Sequence, residues 1–136
     1  MNYMYTTVFL VLLLSPLMAK SQLAVVVSSP KIGGQKAIVK LTMKNNLNDA
    51  VESAHAACFL LDEQGKMVGH ITKWVIGQNK RNLEPKGETT FNFVITSPQP
   101  FLTTNLAAKV SFDRLVLQSG KLTNPRQSVV VTSAKK

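Results

Sequence analysis

An all-β domain is predicted, an immunoglobulin-like or fibronectin type III-like β-sandwich of about seven antiparallel strands. Apolar and polar residues alternate with a period of two along several segments. Clusters of Gly, Pro, Asn and Asp separate those segments, and no stretch sustains the 3.6-residue period of a helix over ten residues. Short strands with one apolar face must bury that face against another sheet, and in a chain of this length the economical solution is a two-sheet sandwich.

The chain opens with MNYMYTTVFLVLLLSPLMAKSQLA. An unbroken apolar block from Val8 to Leu14 is followed by Ser15-Pro16 and then by the small residues Ala19 and Ser21 around Lys20. That order is the order of a secretory signal peptide, with cleavage expected between Ser21 and Gln22, although the first residues carry no Lys or Arg. The alternative is a retained anchor, but residues 4–19 fall short of the ~17–25 residues that span a bilayer as a helix. The organisation expected is therefore a signal peptide over 1–21 and a β-sandwich over 22–136, located outside the cytoplasm, periplasmic or secreted. Removing 21 of 136 residues leaves 115, enough for one core.

The first expected strand is 23–28. In KAIVKLTMK, Ala37, Val39, Leu41 and Met43 share one face while Lys36, Lys40, Thr42 and Lys44 share the other, with Ile38 the single exception. A half-buried strand explains this pattern, whereas a helix would scatter the lysines around its circumference. Further strands are expected at 51–61 and 67–76, at TFNFVI with Phe91, Phe93 and Ile95 together, at LAAKVSF with Leu106, Ala108, Val110 and Phe112 together, and at 128–132. The turns between them fall at Gly33-Gly34, 45–49, 84–87, 98–100, Ser119-Gly120 and Asn124-Pro125.

Asp62-Glu63-Gln64-Gly65 carries Asp and Gly where a type I turn with a left-handed fourth residue wants them, so 51–61 and 67–76 form a hairpin. Setting Asp62 opposite Lys66 pairs Leu60 with Val68, Cys58 with His70, Ala56 with Thr72 and Ala54 with Trp74. In that register the only tryptophan is a core anchor seated on small alanines.

The stretch LTMKNNLNDAVESAHAACFLLDEQGKMVGHITKWVIG, with the later LEPKGETTFNFVI, resembles the FxLYD family of small exported bacterial sandwich domains. The residues that carry the resemblance are Asn45, Asp62, Gly65, Leu83, Pro85, Gly87, Phe91 and Phe93, over about half the chain. Leu60 and Leu61 stand where the family has Phe and Tyr before the Asp, and Lys86 separates Pro85 from Gly87. The resemblance implies a fold and an envelope location, with no assigned activity.

Residues suited to chemistry are few. His55, His70 and Cys58 are the potential soft ligands, and His55 and Cys58 are three apart, on opposite faces of a strand. Only Cys58 and His70 could meet, and two ligands make a poor metal site. The single cysteine also leaves no intramolecular disulfide. The seven acidic residues sit at turns and strand ends, Asp113 among them, and no nucleophile elbow, phosphate-cradling loop or calcium loop is present. No enzymatic activity, catalytic residue, cofactor or metal is expected.

Charge is the stronger lead. The formal charge is +9, or +8 without Lys20, and the lysines are dispersed rather than clustered in one run. Lys36, Lys40 and Lys44 share one strand face, and Lys73, Lys80, Arg81 and Lys86 bracket the loop after Trp74. Such a domain is drawn to polyanions: acidic lipid head groups, lipopolysaccharide or anionic glycans. Compartment and the lack of interleaved aromatic and basic residues argue against nucleic acid. The expected function is a non-enzymatic interaction module of the cell envelope that binds an envelope protein or component through an edge strand or a loop end, with membrane contact at most peripheral. The alternative is a basic surface protein that binds an anionic envelope component through Lys36, Lys40 and Lys44, residues that otherwise serve as a solvated strand face.

Overall fold

Two antiparallel-rich sheets pack face to face around one apolar core in the computed structural model, which describes residues 21–77 and 81–134. The expected signal segment, apart from Ser21, lies outside the described residues, as does Lys80. The described residues are all-β: nine strands, β1 (Leu23–Val27), β2 (Lys31–Gly33), β3 (Lys36–Asn45), β4 (Val51–Leu61), β5 (Met67–Ile76), β6 (Glu88–Thr96), β7 (Ala107–Leu117), β8 (Leu122–Thr123) and β9 (Val129–Ser133), and one helical turn, α1 (Pro125–Ser128). The short pieces β2 and β8 are the strands beyond the seven expected.

Strand β3 organises the first sheet. Its whole length, Lys36 to Lys44, pairs with β6, and its other edge is shared between β2 at Lys36–Ile38 and β1 at Leu41–Asn45. Between those two pieces Ser28 keeps the ladder intact, its N–H donating to Lys40 O at 2.9 Å and its Oγ accepting from Lys40 N at 2.9 Å. Strand β9 closes this sheet by lying parallel to β1. The second sheet runs β5-β4-β7-β8. Ala54, Ala56 and Cys58 line the inner face of β4, leaving room for the larger buried side chains Leu41, Met43 and Phe93 of the facing sheet.

The β4–β5 turn forms as the sequence predicts. Asp62 N–H donates to Lys66 O at 2.9 Å, Gly65 N–H donates to Asp62 O at 3.0 Å, Gly65 has φ 80, and Asp62 Oδ1 accepts from Gln64 and Lys66 N–H. The register beyond it does not follow. Leu61 faces Met67, but Leu60 faces Gly69, leaving Val68 as an unpaired bulge residue. Cys58 therefore faces Ile71, Ala56 faces Lys73 and Ala54 faces Ile76, while His70 faces Phe59 and Trp74 faces His55. One extra residue exchanges the two faces of a strand. The expected register would have turned His70 and Thr72 inward, whereas the bulge turns Ile71 inward and returns those polar groups to water. Trp74 is thus not a core anchor: it is half-buried on the outer face of the second sheet. Cys58 and His70 do not meet.

Asn45 is the one buried polar residue among those described. Its Nδ2 donates to Asp49 O at 3.0 Å and Leu83 O at 2.9 Å, and its Oδ1 accepts from Leu47 N–H at 2.9 Å. The side chain so ties the β3–β4 loop to Leu83, which itself exchanges two backbone hydrogen bonds with Val51 of β4. The turn that follows has Gly87 N–H donating to Glu84 O at 2.8 Å, with Lys86 at φ 66 in the position that ordinarily favours glycine.

Candidate functional site

The uninterrupted alternation of β3 places Lys36, Lys40 and Lys44 on the outer face of the first sheet, all exposed. Pairing fixes their neighbours: Lys36 beside Thr96, Lys40 beside Asn92, and Lys44 beside Glu88. Lys31 of β2 faces Ile38 and joins the same surface. The four lysines are interleaved with exposed aliphatic side chains, since Ile38, Val94 and Val26 are each about 40% exposed. A step of four residues along a strand separates successive lysines by about 13 Å, so β3 alone spreads three positive charges over about 26 Å. One carboxylate, Glu88, stands among them, and no ion pair forms between these lysines and any acid among the described residues.

The remaining acids lie elsewhere: Asp62 and Glu63 in the hairpin turn, Asp49 and Glu84 in loops, Glu52 on β4 and Asp113 on β7. The outer face of the first sheet is therefore predominantly basic, with four exposed lysines against the single carboxylate of Glu88. Of the second basic group in the sequence, Lys73 lies exposed on the edge strand β5 and Arg81 and Lys86 lie in the loop before β6. Lys73 belongs to the second sheet, whereas Lys86 N–H donates to Asn45 O at 2.6 Å, at the Lys44 end of β3.

The outer face of the second sheet carries a constellation that sequence spacing did not reveal. Asp113 lies inside β7 rather than near a strand end, and its Oδ1 is 2.7 Å from His55 Nδ1. The His55 ring meets Trp74 edge to face at 4.9 Å, and Phe59 stacks on His70 at 6.1 Å. Bulges on both sides of His55 bring this about, one between β4 and β5 and one between β4 and β7 where Asp113 is the extra residue. The signal available in the sequence was the adjacent polar pair Asp113-Arg114 interrupting the alternation of β7, the mark of a bulged strand. The pair is half-exposed, and no third donor joins it: among the described residues no group of three or more His, Cys, Asp and Glu side chains could hold a metal ion.

Cys58 is fully buried on the inner face of β4, and burial pushes its thiol up from 9.0 to about 11. A thiol held neutral in this way is a poor nucleophile and a poor ligand. No helix among the described residues is long and apolar enough to cross a membrane.

No protein-family model and no curated protein matches the chain. Two solved structures share the architecture. The Northeast Structural Genomics Consortium target SoR45 superposes with a TM-score of 0.50 at 17% identity, over 77% of this chain and 81% of its own. A Bordetella pertussis protein described as ApaA superposes with a TM-score of 0.52 at 11% identity, over 76% of this chain and 88% of its own. At such identities the likeness is one of fold, and the class it defines is a two-sheet all-β sandwich.

Proposed function

We propose that this chain is a non-enzymatic, exported interaction module of the cell envelope, built as a sandwich of immunoglobulin or fibronectin type III type, akin to the FxLYD domains its turns resemble, and that it binds an anionic envelope component through the outer face of β3. One observation carries this reading. Lys31, Lys36, Lys40 and Lys44 share an open face with a single carboxylate, although the whole chain holds seven acids. A flat basic face suits a polyanion whose negative charges are themselves spread over tens of ångströms. The same lysines also keep a sheet face soluble and repel a second copy of it, a role that is compatible with polyanion binding.

The test compares wild type with a Lys36→Gln/Lys40→Gln/Lys44→Gln variant on an immobilised heparin matrix across a salt gradient. Wild type is expected to be retained to higher salt, because screening lengths of ~8–10 Å at ordinary ionic strength cancel the attraction only gradually. Exposed substitutions of this kind change stability by about ±0.5 kcal/mol each, so the variant stays folded. Identical elution of the two proteins would exclude this face and leave an envelope protein, bound through a sheet edge or loop, as the partner.

A further inference from the structure

The loop between β6 and β7 holds Leu102 fully in solvent, at 103% of the reference exposure for its side chain. Its neighbour Phe101 packs against the core, and Pro100 precedes them, so the leucine is held out from the fold by a fixed base. Behind it a cavity of about 230 Å³ separates the loop from Val68 of the β4–β5 hairpin. The loop is tied to the basic sheet. Phe101 N–H donates to Gly34 O at 3.0 Å, Ser97 N–H donates to Gln35 O at 2.8 Å, and Gln35 Nε2 donates to Pro98 O at 3.1 Å. Gly34 and Gln35 form the turn between β2 and β3, so Leu102 follows directly on a residue anchored two positions from Lys36 and close to Lys31.

We propose that Leu102 and the lysine face act together to seat the protein on an anionic phospholipid bilayer, with the lysines against head groups and Leu102 inserted at the interface. This rests on the polyanion reading of that face and names its source. A soluble glycan would answer the lysines alone. A bilayer answers both the lysines and the exposed Ile38, Val94 and Leu102, because its surface offers negative charge above and apolar chains just below. Asp62 of the β4–β5 hairpin lines the same cavity as Leu102, and together with Glu88 it is outnumbered by the four lysines. Each lysine held at an anionic surface strengthens binding about fivefold, and burying one leucine side chain strengthens it about tenfold or more.

The experiment is co-sedimentation with phosphatidylcholine vesicles with and without phosphatidylglycerol, alongside the heparin assay. Wild type, Leu102→Ser and the triple Gln variant are compared, each with its thermal midpoint. Wild type is expected to bind only the anionic vesicles, Leu102→Ser to bind them about tenfold more weakly with unchanged heparin retention, and the triple variant to lose about a hundredfold. A Leu102→Cys variant bearing an environment-sensitive fluorophore should shift to the blue on those vesicles, and buried Cys58 does not compete for the label. If Leu102→Ser binds vesicles like wild type and the fluorophore stays aqueous, insertion is overturned while the anionic face stands. Heparin retention without vesicle binding overturns the lipid as partner. Loss of both overturns the basic face itself.

Discussion

Asn45 shows how one side chain can decide whether a loop closes. It provides partners for Asp49 O and Leu47 N–H, and adds a second hydrogen bond to Leu83 O, which also accepts from Val51 N–H. An orphaned buried polar group costs about 1–3 kcal/mol, and removal of a shared hub exposes more than one of them. Asn45→Ala is therefore expected to lower the unfolding free energy by about 2–4 kcal/mol, read as a fall in the urea midpoint at constant slope. Cys58 makes the opposite use of burial. Its pKa is higher in the folded protein than in the unfolded chain, so its contribution to stability is complete below 9.0 and is lost as pH rises from there through about 11. Cys58→Ala should remove part of the stability loss over that window, on the order of 1–2 kcal/mol, when urea midpoints of the two proteins are compared at each end of it. Native Cys58 should also resist a thiol reagent at neutral pH and react on unfolding.

At the scale of elements, β3 and the β4–β5 hairpin show which patterns are readable. Strand β3 alternates without interruption, so its lysine face could be assigned from spacing alone, and the Asp62 to Gly65 turn was legible because Asp and Gly do specific jobs there. The bulges at Val68, Val75 and Asp113 were not legible from turn chemistry, since a bulge is a compromise between two strands that periodicity in one strand cannot show. The parity of Ile71 against His70 and Thr72 was the available clue. Its consequence is that Trp74 and His55 meet outside the core, and that Asp113 reaches His55. Trp74→Ala should then cost about 1–2 kcal/mol, well below the about 3–5 kcal/mol expected for Phe93→Ala at a fully buried ring. Equal losses for the two variants in chemical denaturation would contradict the observed register.

For the whole molecule, two-residue periodicity and turn chemistry were enough to read an all-β chain, because the long strands β3, β4, β6 and β7 each have one face more buried than the other. The split of the N-terminal strand into β1 and β2 around Ser28 and the parallel seat of β9 depend on contacts distant in sequence and left no local trace. Net charge was legible from composition and the Lys36, Lys40 and Lys44 face from spacing, but the addition of Lys31 to that face, and the bond of Phe101 to Gly34 that anchors the β6–β7 loop, came only with the fold. The most direct measurement of the central claim is a residue-resolved NMR titration with a soluble heparin oligosaccharide. The account predicts shift changes along β3 and its neighbours, at Lys31, Lys36, Lys40, Lys44, Asn92 and Val94, with the indole N–H of Trp74 unmoved on the opposite face. Changes centred on His55, Trp74 and Asp113, or none on β3, would contradict it.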